Sequence, residues 1–232
     1  MNHLQLEGLL FWFPAFVLST TFHEAAHAWA AMRGGDPTAY RGGQVSLSPW
    51  PHIRREPIGM LILPLLTSMT QGWAIGWASA PFDPEWASRH PRRAALMAAA
   101  GPAANLLLAL AALVVIKLGL VIGLFDPATA GMHAWSELVV PAAAHDGELA
   151  AFGARALSVL LSLNVLLAIF NLIPLPPLDG AGVIDILLPP HMAGIMRRLG
   201  PVGSILGLFV AWRVFPMLIP PIRDAVERLV GG

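Results

Sequence analysis

From Ala94 to Leu124 the chain carries a single charged side chain, Lys117. A run that long and that apolar can span a bilayer with some tilt. Four other apolar segments accompany it, at about 6–32, 58–77, 152–172 and 202–219. Charged residues make up 12% of the 232 residues and hydrophobic ones 56%, whereas a soluble domain carries about 25% charge. The fold expected is an all-α polytopic membrane protein with about four to five transmembrane helices. Residues 1–232 are read as one domain, with a core of about 8–190 and a C-terminal helix of about 200–222. Formal net charge is zero, so no broad basic surface argues for nucleic acid. The N-terminal "MNHLQLEG" lacks the basic n-region of a cleavable leader, so the first helix is expected to be retained.

The segment at 58–77 contains Pro64, Gly72 and Gly76. Arginines supply an orientation. Arg33, Arg41, Arg54 and Arg55 follow the first segment, Arg89, Arg92 and Arg93 precede the third, and Arg197 and Arg198 follow the fourth. The stretch 126–152 has four acidic residues and no Arg or Lys. The positive-inside rule then puts the arginine-rich loops in the cytoplasm and 126–152 outside, provided that 58–77 re-enters rather than crosses. A full crossing against the charge bias is the alternative. "QVSLS", at 44–48, alternates between glycines and prolines and reads as a short β-hairpin or edge strand.

Polar residues interrupt the first apolar segment in "TFHEAAHAWA". Charge at membrane depth costs at least a few kcal/mol, so three ionisable groups within five residues need something to offset that cost. His23 and His27 are four apart and share one helix face. Two imidazoles so placed can bind one Zn²⁺, and Glu24 between them can serve as a general base toward water. The chain has no cysteine, so any metal site draws on His, Asp and Glu. Asp179, in "NLIPLPPLDG", is the best candidate for a third ligand. Three prolines break the helix there and can turn a carboxylate inward, although Asp-Gly also suits a plain turn.

"HEAAH", "NLIPLPPLDG" and the intervening "AAAGPAANLLLA" together resemble the site-2 protease family of intramembrane zinc metalloproteases, over about residues 8–190. The resemblance implies His23, His27 and Asp179 as zinc ligands and Glu24 as catalytic base. It also implies cleavage of peptide bonds within or near the membrane. The chain looks like a compact form without a PDZ or CBS domain. Asn171, eight residues before Asp179, is the candidate oxyanion donor. Asn105 is either a second donor or a helix-packing group. "GQVSLS", with Gln44 and Val45, is a candidate for pairing an unwound substrate as an added strand. His52 is a candidate contact to substrate or water. The remaining histidines (3, 90, 133, 145 and 191) read as solvated loop or terminal residues. The expected partners are a transmembrane protein or peptide substrate and the lipid bilayer. The expected location is a prokaryotic cell membrane, with the site nearer the cytoplasmic side. The rival readings are a transporter with broken helices and an inactive scaffold of the same fold.

Overall fold

The computed structural model describes residues 3–128, 135–189, 191, 192, 198 and 200–231; His133 and Arg197 lie outside them. The first apolar segment is a continuous helical rod. α1 (His3–Glu7) passes through a π-turn (Gly8–Trp12) into α2 (Phe13–Arg33). The π-turn has a local cause. A proline ring clashes with the carbonyl four residues earlier, and Pro14 stands at the start of α2. Widening the preceding turn, with Phe13 N–H bonded to Gly8 O, makes room for the ring. Pro64 sits in the same relation to a second π-turn (Ile58–Ile62), where Leu63 N–H bonds Ile58 O.

After α2 the chain turns at Gly34 and Gly35, and Gly35 has a φ of 99°. Asp36 then accepts from the N–H and hydroxyl of Thr38 and from the N–H of Asp83, 2.8 Å away. Burial opposes its charge, yet these donors, helped by Arg41, hold its carboxyl below the ordinary carboxylate range. Two short helices follow, α3 (Thr38–Arg41) and α4 (Trp50–Arg55).

The strand expected at 44–48 is not formed; these residues make bends between α3 and α4. Local bonds hold the strap instead. Gln44 N–H goes to Ala39 O, Ser46 Oγ accepts from Ser48 N–H, and Ser46 O accepts from His52 Nε2. Pro49 and Pro51 then remove ladder donors just beyond. The two-stranded antiparallel sheet lies elsewhere, pairing β1 (Phe125–Pro127) with β2 (Val139–Pro141), with Asp126 opposite Val140.

The helical run Ile58–Gln71 includes α5 (Leu63–Gln71). At 1.5 Å per residue it is about 21 Å long, short of the roughly 30 Å hydrocarbon core. Gly72, with φ 81°, ends it in the left-handed conformation. The chain then doubles back along the same helix. Ile75 N–H bonds Thr67 Oγ1 at 2.9 Å, and Trp77 N–H bonds Gly59 O at 3.1 Å. A Cβ on Gly76 would lie 2.2 Å from Gly59 O, so this close return requires glycine. Residues 72–77 thus pack back against the helix that they follow.

α6 (Pro84–Arg89), capped by Asp83, leads into α7 (Pro91–Val121). Beyond the sheet come α8 (Glu148–Asn171), α9 (Gly180–Val183) and α10 (Gly200–Gly231). The last runs past the expected end near 222. α7, α8 and α10 are each long and apolar enough to cross a membrane. α2, of 21 residues, also runs from one end of the bundle to the other. Its start joins Ala15 and Phe16 to Leu163 and Ala74, while its end joins Ala31 to Trp86, Ala94 and Met97. Alanines line the seams (Ala28, Ala31, Ala95, Ala109 and Ala112 are all buried), and small side chains let α2, α7 and α8 approach closely. A third cluster ties Val226 and Val230 of α10 to Ile116, Phe125 and Val139.

Candidate metal centre

His23 and His27 lie one turn apart on α2 and face α7. Their rings meet edge to face, at 81° with centroids 4.6 Å apart. The third group comes from far along the chain. α8 ends at Asn171, and the proline-broken stretch after it brings the Asp179 carboxylate to the two rings. Asp179 Oδ2 is 3.1 Å from His23 Nε2, and Oδ1 is 3.3 Å from His27 Nε2. Glycine must follow the aspartate because a Cβ on Gly180 would sit 2.3 Å from Leu172 O and 2.4 Å from Ile173 O. The turn packs flush against the end of α8.

The tautomers follow from the partners on the far side of each ring. His27 Nδ1 is 2.7 Å from the carbonyl oxygen of Met97. A carbonyl only accepts, so Nδ1 carries the proton and Nε2 presents a lone pair. His23 Nδ1 is 2.5 Å from Asn105 Oδ1, which gives His23 the same tautomer. The two Nε2 atoms then face each other at 2.9 Å, with carboxylate oxygens beside them. Acceptors converging on one point repel unless a cation lies between them. A tetrahedral zinc with bonds of about 2.0–2.2 Å spaces its ligand atoms about 3.3–3.6 Å apart, a few tenths of an ångström wider than the 2.9, 3.1 and 3.3 Å found. Gly101 leaves the space open: a Cβ there would lie 2.3 Å from His27 Nε2 and 2.5 Å from His23 Nε2. Donor chemistry, spacing and clearance all fit a zinc ion held by two imidazoles and one carboxylate, with a position left for water or substrate.

Glu24 is buried and its Oε2 has no hydrogen-bond partner among the described residues. Asn171 donates one amide hydrogen to Leu167 O at 3.0 Å in its own helix. Asn105 is fully buried beside His23. It donates to Asn164 Oδ1 at 2.8 Å and toward Ser19 O at 3.4 Å. Gln44 in the strap and His52 on α4 are buried, each with one side-chain atom that has no partner among the described residues, and Val45 is half-buried in the strap. Sequence reasoning missed Asn164, Ser19 and Met97. The signal for Asn164 was present, as an amide inside an apolar helix that must find a partner. Ser19, four residues before His23, shares its face. The Met97 carbonyl has no side-chain signature.

An apolar cavity of about 360 Å³ borders α2 on another face, lined by Phe13, Val17, Thr21, Leu47, Ile53 and Leu61 among others. Thr21 belongs to the turn just before Glu24.

Comparison with known proteins gives a consistent answer. The family model described as peptidase family M50 matches residues 11–198. YwhC of Bacillus subtilis (strain 168), provisionally named a zinc metalloprotease, is 32% identical over 226 residues, covering 92% of this chain and 87% of that one. Rip2 of Mycolicibacterium smegmatis (strain ATCC 700084 / mc(2)155), with the same provisional name, is 30% identical over 186 residues, covering 80% of this chain and 59% of its own. No solved structure gives a significant match. The chain is an integral membrane member of peptidase family M50, the site-2 protease family, and its cofactor is zinc.

Proposed function

We propose that the protein hydrolyses peptide bonds of membrane-spanning or membrane-associated proteins at a zinc site inside its helix bundle. One observation carries this reading: His23, His27 and Asp179 converge where α2 packs against the membrane-length helix α7. His23, His27 and Asp179 would hold the zinc. Bound there, zinc polarises a peptide carbonyl and makes water a stronger nucleophile.

Glu24 takes the proton of the attacking water on its unpartnered Oε2 and returns it to the leaving amine nitrogen. Asn171 has a second amide hydrogen beyond the one given to Leu167 O, so it can donate to the developing oxyanion. Asn105 has its oxygen on His23 and its amide hydrogens directed at Asn164 and Ser19. It therefore serves the ligand rather than the substrate. Water reaches the site along the broken backbone at 172–179, since non-helical backbone at depth borders protein or a wet cavity. A helical substrate must unwind, and the strap at 44–48 pairs its freed backbone, with His52 pinning the strap through Ser46 O. The cavity beside the strap has room for apolar side chains of such a substrate.

The site belongs on the cytoplasmic side of a prokaryotic cell membrane. Met97 and Gly101 lie within roughly 15 Å of Pro91 along α7, near the arginine-rich end, and both relatives above are bacterial. The chain 1–232 acts as one domain, because α10 joins the apolar cluster that α7 and α8 build.

Glu24→Gln tests the mechanism. Zinc content stays at one per chain, while cleavage falls by about 10²–10⁴-fold, the contribution of a general base. Fragments of membrane proteins present in wild-type cells disappear in the variant. Undiminished cleavage by Glu24→Gln would rule the reading out.

A further inference from the structure

We propose that Asn164 of α8 is a positioning residue for the ligand His23, acting through Asn105. This rests on the reading of His23 as a zinc ligand. One acceptor in this network has no choice of role. The Leu160 carbonyl can only accept, and Asn164 Nδ2 lies 2.8 Å from it. The same amide nitrogen donates to Ser19 Oγ at 2.9 Å. Asn164 is thereby fixed with its NH₂ toward Leu160 and Ser19 and its oxygen toward Asn105. Asn105 must in turn present its NH₂ to that oxygen, at 2.8 Å. Rotating the Asn105 amide by half a turn would set oxygen against Asn164 Oδ1 and Ser19 O, a buried clash of acceptors. Asn105 Oδ1 is left facing His23, whose Nδ1 must carry the proton, and Nε2 is free for metal.

The two histidines are oriented by different means. His27 is set directly by the Met97 main-chain carbonyl. His23 has only Asn105, and an isolated amide beside a ring can present either end. Without Asn164 only the long contact to Ser19 O, at 3.4 Å, still opposes turning the Asn105 NH₂ to His23 Nδ1, and that turn favours the tautomer with its proton on Nε2, where the metal belongs. Ser19, Asn105 and Asn164 are each fully buried, so water cannot substitute for the missing partner.

The test uses full-length protein in detergent. Zinc affinity is read by competition with a chromophoric chelator, and thermal stability of the metal-free protein is read in parallel. Asn105→Ala and Asn164→Leu each weaken zinc binding by about 10–100-fold, the usual cost of losing a partner behind a metal ligand. The double variant binds no more weakly than Asn105→Ala alone, because Asn164 acts only through Asn105. Asn164→Asp, which keeps an acceptor facing Asn105, retains more zinc affinity than Asn164→Leu. A packing role reverses that order, since a carboxyl among apolar helices is worse tolerated than leucine. Wild-type zinc affinity in Asn164→Leu, or additive losses in the double variant, overturns the proposal; Asn164→Ala gives the same reading should the leucine variant not fold. Zinc binding that survives His23→Ala defeats the ligand set itself. Binding lost in His23→Ala yet kept in Asn164→Leu defeats only the link through Asn105.

Discussion

A single hydrogen atom decides what residue 101 can be. The Cα hydrogen of Gly101 that a side chain would replace points at both Nε2 atoms, and any Cβ would stand under 3 Å from each. Nothing nearby can yield, since the obstructing atoms are the ligands themselves. Gly101→Ala is expected to weaken zinc binding by about 100-fold or more, beyond the cost of an outer hydrogen bond. The same overlap also overpacks the metal-free protein, at about 1–3 kcal/mol, so its stability should fall, though alanine's helix propensity in α7 offsets part of the loss. Chelator competition beside a thermal melt separates the two effects. The same residue marks the limit of sequence reading at this site. His23 and His27 were legible because a helix fixes their spacing. Asp179 was legible because three prolines stop a helix just before it. The need for glycine at 101 was not, because it depends on the depth at which α2 and α7 cross.

Elements show the same division between local and distant causes. The turns at Gly34, Gly35 and Gly72 follow from residues within one or two turns of each, and the sequence announces them, whereas the apolar run to Trp77 left open how far the helix from Ile58 reaches. Sheet pairing depends on what lies across from a strand. "QVSLS" alternates as a strand should, but among the described residues no partner strand faces it, and its groups bond to Ala39 and His52 instead. Phe125–Pro127 and Val139–Pro141, with weaker patterns, pair because α7 and α8 deliver them side by side. The proposed role of the strap is therefore that of an unpaired edge awaiting a substrate. Val45→Pro probes it, since proline removes the N–H that an added strand would use. Gln44→Pro is the less clean probe because Gln44 N–H already holds Ala39 O. Cleavage by Val45→Pro is expected to drop about tenfold, the worth of one hydrogen bond of about 1.4 kcal/mol, with zinc content unchanged. Full cleavage would remove the strap from the mechanism.

At the scale of the whole molecule, whether 58–77 turns back or crosses sets which surfaces share a side of the membrane. If 58–77 turns back, the strap before it and α6 after it lie on one face, together with Arg54, Arg55, Arg89 and Arg92. The turn before α8, with Asp146 and Glu148, lies on the other. Packing agrees. The end of α2 meets Trp86 and Ala94 in one cluster, whereas Phe125, Val139 and the C-terminal Val230 gather in another at the far end of α7. The charge bias, which draws arginine toward the cytoplasm, and the return of Trp77 to Gly59 are independent observations with one consequence. The absence of cysteine makes that consequence measurable with single substitutions at exposed positions. Ser48→Cys and Ser88→Cys should both react with a membrane-impermeant maleimide only when the cytoplasmic face is open, and Ala144→Cys only from outside. Labelling of Ser48→Cys and Ser88→Cys from opposite faces would mean that 58–77 crosses the bilayer. The arginines on its two sides would then face different compartments, and zinc bound near Met97 could no longer be assigned to the cytoplasmic half from the charge pattern.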